Sequence, residues 1–363
     1  MINTPEDDVD LKDMQPQLIF NLNNEQLNDE EFEKLFVCCI KLGVNAFSLD
    51  DAVSSLNHAM KLLLNNTDQF PSKDILKGVQ ELIERLTSNP QGALYLSCNT
   101  SWTGDLLTVI KRLLQTFKIS EEYISLCFEI SAAMLTLFGT KWFKTGDIFS
   151  VLLCSLASGQ LRMVVEEPDS INPLKLIPVI SILEFFIDAV DETDFFSDED
   201  ATKMSYHIKD ACAFLFEYIA ECHKQQQTIS EDVMIMFYKF LCTFLSIGGI
   251  EMLSQDALTP AVEPMLNVAQ SFIFQENLTM AGLFLYNLPA FKSLPQNTLD
   301  FILNYLQFKP GDYDKTIIFT QVSSVLEQLS GRKDFFTETS KQEAIKVAAE
   351  LGDQQLSEQF ATL

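Results

Sequence analysis

Apolar residues recur at three- and four-residue spacing from one end of the sequence to the other, and a capping residue stands before most of these runs. A helix patterned this way carries an apolar face that it cannot cover by itself, so successive helices must cover one another. The window 141–168 holds the whole pattern. Thr145 or Asp147 can accept the first backbone N–H groups, and Phe149, Leu152, Leu153, Leu156, Met163 and Val164 line one face. Pro168 stops the run because it has no donor and disfavours a helical residue before it.

The same grammar repeats along the chain. Asn28 can cap a helix with acidic residues in its first turn, Ser48 with Asp51 and Ser197 with Asp200 resemble capping boxes, and Ser72, Ser120 and Ser230 open further helices. Residues 89–103 read as a loop. Asn172 with Pro173 begins a helix that Pro178 should kink or restart, and Pro260 and Pro264 are read as the start of another. Later helices are expected near 297–308, 314–329 and 339–351, and no long strand alternation occurs. Taking every second cap, Asn28 to Ser72 is 44 residues, Ser72 to Ser120 is 48 and Ser120 to Asn172 is 52. HEAT and armadillo repeats run to about 40–47 residues for two or three helices, so the spacing fits a degenerate array of that kind. The expected fold is all-α, an armadillo/HEAT-like right-handed α-solenoid of stacked helix pairs. Residues 1–27 are expected to form an acidic, mostly disordered segment and 28–363 a single armadillo-like helical repeat domain.

Composition supports this and narrows the function. With 47% hydrophobic residues and only 13 Gly and 12 Pro in 363, the chain can bury a large core but has few turn residues for a many-stranded fold. The formal charge is −26, a field that repels phosphate backbones, so nucleic acid is not expected as a partner. That acidity either keeps an apolar scaffold in solution or forms a groove for basic segments. The opening MINTPEDDVDLKD lacks the basic region and apolar run of a secretory signal, and eight scattered cysteines without a CxxC pair read as core thiols, so a cytoplasmic location is expected. The most apolar window, 233–250, has Lys239 at its middle, which costs roughly 3 kcal/mol in a membrane. It reads as a buried helix rather than a span, with peripheral membrane association as the alternative.

No GxxxxGK[ST], GxGxxG, GxSxG, HExxH or EF-hand loop is present, and His58, His207 and His223 are far apart in sequence. No enzyme, metal or cofactor is expected. The acidic run of Asp191, Glu192 and Asp194 could attract a basic peptide, although helix capping accounts for the residues that follow it. Trp142 reads as core packing or, if exposed, as an interface anchor. Arg162, followed four residues on by Glu166 and surrounded by Leu161, Met163, Val164 and Val165, is expected to form an intramolecular ion pair that fixes one repeat against the next. Its apolar neighbours favour a buried pair, and Arg112 is expected to be dispensable by comparison.

Gly139, Trp142 and the run LLCSLASGQLRMVVEEP, with Leu161, Arg162, Met163, Glu166, Glu167 and Pro168, resemble the neurochondrin family. The resemblance implies an armadillo-like cytosolic adaptor. It also implies a role in neurite outgrowth and neuron projection development, partners among signalling kinases or receptor tails, and restraint of calcium/calmodulin-dependent kinase phosphorylation. Partner-binding residues are then expected among Trp142, Arg162, Glu166, Glu167, Asp191, Glu192 and Asp194. The alternative is a transport or assembly factor of the same architecture that holds basic cargo on an acidic groove.

Overall fold

The computed structural model describes residues 18–19, 22, 27–43, 47–65, 70–143, 148–166, 171–190, 195–308, 315–330, 332 and 338–362. Among them every regular element is helical: sixteen α-helices and three short 3-10 turns. The sequence reads as one array over 28–363, whereas the chain gathers into two compact units. One comprises Met1–Ala157 with Ala189–Ala201, and the other Ser158–Asp188 with Thr202–Leu363.

The first unit contains α1 (Asp29–Leu42), α2 (Leu49–Asn65), α3 (Lys73–Thr87), α4 (Pro90–Cys98), α5 (Thr103–Leu114), α6 (Glu121–Phe138) and the start of α7 (Phe149–Val165). The caps behave as their chemistry requires. Asn28 accepts from the Glu31 N–H while the Glu31 carboxylate accepts from the Asn28 N–H, and Ser48 and Ser72 accept from Asp51 and Ile75. Residues 89–103 are not all loop, because Asn89 caps α4 with Pro90 at its first position. Gly92 permits the tight α3–α4 corner, where a Cβ would collide with the Leu86 carbonyl oxygen. Packing then advances by three helices, α2 onto α5 and α3 onto α6, with the short α4 as the extra member. That is the three-helix step of an armadillo repeat. Upstream of Asn28, Ile19 and Leu22 are buried, and residues 1–17, 20–21 and 23–26 of the expected disordered segment lie outside the described residues.

The second unit holds the end of α7, nearly all of α8 (Pro173–Ala189), α9 (Asp198–Gln225) from Thr202 onward, α10 (Glu231–Ser246), α11 (Gln255–Phe274), α12 (Leu278–Leu285), α13 (Thr298–Gln307), α14 (Lys315–Leu329), α15 (Glu338–Glu350) and α16 (Gln354–Thr362). Here packing advances by two, α10 onto α12, α11 onto α13, α13 onto α15 and α14 onto α16, the step of a helix-pair repeat. One expectation changes: Pro260 and Pro264 lie inside α11, which starts at Gln255 under the Ser254 cap. Pro178, expected to kink or restart its helix, does not restart it, since it lies inside a continuous α8. In α11 eight buried apolar residues, from Leu258 to Ile273, outweigh the missing backbone donors. The 233–250 window is the core of this unit, with Val233, Phe237, Phe240 and Leu241 buried in α10. Among the described residues, the stretch long and apolar enough to cross a membrane is instead Glu121–Trp142. Its α6 portion packs Leu126, Cys127, Ile130 and Met134 into the first unit beside α3 and α5.

Polar bonds between helices repeat at one-repeat separations. In the first unit Tyr123 donates to the Pro71 carbonyl at 2.7 Å, 52 residues away, and Arg112 to the Leu63 carbonyl at 2.7 Å, 49 away. In the second, Tyr238 donates to the Met280 carbonyl at 2.7 Å, 42 away, and Asn287 to the Cys242 carbonyl at 3.2 Å, 45 away. Asn287 is buried and its amide also donates to the Leu283 carbonyl at 2.7 Å. Truncation to alanine removes both bonds in a buried setting, at a cost of about 1–3 kcal/mol. Urea unfolding of Asn287→Ala should show that loss, while Asn297→Ala, at an exposed position, should stay within about 0.5 kcal/mol of the parent.

Candidate functional site

The C-terminal half of α7 has two sides. Leu161 and Val165 are fully buried, whereas Arg162 and Met163, on the opposite side, face solvent, and Met163 is 61% exposed. Helix α9 is divided in the same way. Met204, Ile208, Cys212, Leu215 and Ile219 face the core, and Tyr206, Asp210, Phe214 and Tyr218 recur every four residues on the other face.

These two outward faces meet in the second unit. Arg162, Met163, Val165, Glu166, Phe214 and Tyr218 line a groove of about 400 Å³. Arg162 Nη2 lies 2.5 Å from Asp210 Oδ2, 48 residues away in sequence, and the guanidinium carbon sits 5.4 Å from the Phe214 ring centre. Phe214 stacks on Tyr218 at 6.2 Å, and Tyr218 meets Phe237 of α10 edge-on at 6.1 Å. Two half-buried aromatic rings, Phe214 and Tyr218, therefore line the groove as a short row, and among the described residues Arg162 and Glu166 bring charge to it, with the Asp210 carboxylate held beside it by Arg162.

The expected ion pair of Arg162 exists, with two corrections. Its partner is Asp210 rather than Glu166, because the neighbouring helix offers a carboxylate beside the aromatic row. The pair is also half exposed, at 44% for each side chain, since apolar neighbours in sequence point into the core while Arg162 points out. At such exposure the pair contributes about 0–1 kcal/mol. Trp142 is no interface anchor: it is 4% exposed and packs on Phe143 and Phe149 at 5.5 and 6.4 Å. Glu167, Asp191, Glu192 and Asp194 lie outside the described residues, as do the caps Thr145 and Asp147 and the stop Pro168. Asp210, Phe214 and Tyr218 were missed by the sequence reading. Phe214 and Tyr218 carried a signal, as aromatic residues four apart on the face of α9 opposite its apolar stripe, whereas Asp210 carried none.

A smaller cavity of about 190 Å³ is lined by residues including Cys222, His223, Met234 and Pro264. His223 also lies 3.8 Å from Glu263. Burial raises the Cys222 thiol above its ordinary range, which suppresses the thiolate that a nucleophile or metal ligand requires. Among the described residues no group of three His, Cys, Asp or Glu is placed to hold a metal ion. Burial also pushes the Cys39 thiol up to about 11 and those of Cys127 and Cys154 up to about 12.

No family model matches the chain, and no curated protein matches it. Two solved structures align over nearly its whole length. One is an engineered protein, 11% identical, covering 96% of this chain and 87% of its own at a TM-score of 0.43. The other is a circular tandem repeat protein with novel repeat topology and enhanced subunit contact surfaces, 12% identical, covering 98% and 94% at a TM-score of 0.22. At those scores neither bears on function.

Two measurements test this geometry. Arg112, half buried, donates to a carbonyl in the last turn of α2, and such a charged bond is worth about 1.5–3 kcal/mol. Contrary to the sequence expectation, Arg112→Ala should lower stability more than Arg162→Ala in parallel urea titrations. In alkylation followed by mass spectrometry near pH 8, exposed Cys98 should react first, half-buried Cys38 more slowly, and the six buried thiols only on unfolding.

Proposed function

We propose that the chain is a non-enzymatic cytosolic scaffold that binds other proteins, resembling neurochondrin in the kind of partners it takes. One observation carries this reading. Arg162, Met163 and Glu166, part of the short segment that resembles neurochondrin, are also the α7 residues that line the open groove. A helical stack that leaves an adaptable thioether and a row of aromatic rings on its surface offers what protein interfaces use most, large apolar contacts rimmed by charge. The proposed partners are signalling kinases and receptor tails, with a role in neurite outgrowth and neuron projection development. The proposal includes no cofactor and no nucleic acid partner.

The second reading, a transport or assembly factor holding basic cargo, is favoured by the charge of −26. Affinity capture from neuronal lysate, with and without a non-hydrolysable nucleotide, separates the two. Enrichment of kinases and receptor tails, together with lowered calcium/calmodulin-dependent kinase phosphorylation when the purified chain is added, is the expected result. Recovery of transport receptors in a nucleotide-sensitive way would replace it with the second reading. Intrinsic turnover abolished by changing one buried Cys, or one of the three His, would overturn both.

A further inference from the structure

We propose that the groove between the end of α7 and the outward face of α9 is a seat for an arginine- or lysine-bearing segment of a partner protein, and that Arg162 occupies that seat until the partner arrives. This deepens the scaffold reading and rests on it.

The seat has the parts a cationic side chain needs. Asp210 supplies a carboxylate, Phe214 supplies a ring face within the distance over which a cation is attracted to it, and Tyr218 extends the aromatic surface. Arg162 already demonstrates the fit, with its guanidinium 2.5 Å from the carboxylate and 5.4 Å from the ring centre. Its hold is weak, however, because a single nitrogen makes the contact and both side chains are 44% exposed. A partner's guanidinium that pairs with Asp210 through two nitrogens would exchange with it readily, leaving Arg162 to turn into solvent. The groove, at about 400 Å³, has room beyond the guanidinium, and the exposed Met163 thioether can adapt to the aliphatic stem that follows.

Charge selects the occupant. An acidic segment would have to separate Arg162 from Asp210 and approach Glu166 on a chain of net charge −26, whereas a basic segment meets attraction at long range and at contact. An anionic membrane surface meets the same repulsion as an acidic segment.

The test is fluorescence anisotropy of short labelled peptides, one arginine-rich and one with glutamate at the same positions, added to the full chain at low and at roughly physiological salt. The arginine peptide should bind more tightly, and its affinity should fall as salt is raised. Asp210→Asn and Phe214→Leu should each weaken binding by about tenfold or more, for loss of the carboxylate and of the ring face. Arg162→Gln should strengthen it about three- to tenfold, because the internal competitor is gone. A purely structural role for Arg162 would not produce that gain. Methyl resonances of labelled methionine, with Met163 assigned through Met163→Leu, should show Met163 shifting on titration even if a groove variant folds poorly. Weaker or unchanged binding in Arg162→Gln overturns the proposal. So does tighter binding of the glutamate peptide, which would make Arg162 an anchor for acidic partners, and so does an unmoved Met163. If basic peptides bind but no groove variant matters, the seat is wrong while the scaffold reading stands. Failure of the capture experiment would remove the scaffold reading itself.

Discussion

An amphipathic helix in water leaves its apolar stripe exposed, and nearly every helix here depends on another element to cover it. The cover comes from the next helix along the chain and from the equivalent helix one repeat further on. Burial of this kind is non-directional and would tolerate sliding of one helix along another. Direction comes from a few polar bonds between repeats, such as Tyr123 to the Pro71 carbonyl, Arg112 to the Leu63 carbonyl and Tyr238 to the Met280 carbonyl. Each joins positions one repeat apart, so each fixes the register that the apolar stripes leave open.

The polar bonds are not equivalent in energy. Those with a buried or half-buried member ending on a backbone carbonyl would leave an unsatisfied group behind if broken. The Arg162–Asp210 pair has the same spacing, 48 residues, but both members remain in contact with water. The fold depends on the first kind and can spare the second. A contact that can open without unfolding the repeat is one that a partner can take over. This links the weakness of the pair to its proposed use.

Acidity has several roles in the chain. Acidic residues stand in the first turns of α1, α2, α6 and α9, where they complement the positive ends of those helices. Some also pair with lysines about one repeat away, as Glu122 of the α6 first turn does with Lys73 and Glu184 of α8 with Lys239. A charge of −26 therefore includes many carboxylates whose local work is structural, while their summed field still favours cationic partners.

The sequence by itself determined that the chain is helical and roughly where most of its longer helices lie, because a cap and a 3.6-residue stripe are local properties that need no knowledge of neighbours, but it gave no sign of the short α4, α12 and α16. It misjudged Pro260 and Pro264 as helix starts and 89–103 as loop, since the burial that keeps α11 continuous through its prolines comes from other helices, and the Asn89 cap stands before only a weak stripe. The candidate site was half legible. Arg162, Met163 and Glu166 belong to one short segment and stood out together, whereas Asp210, Phe214 and Tyr218 lie 48 residues or more away from Arg162 and nothing local marks them as its companions. Trp142 gave no local sign of whether it faced the core or solvent. Only the tertiary structure decided which helix lies beside which, and through that whether Arg162 would be a buried strut or an exposed, exchangeable contact. Pairing between repeats depends on register, and register is set by bonds between residues that the sequence keeps far apart.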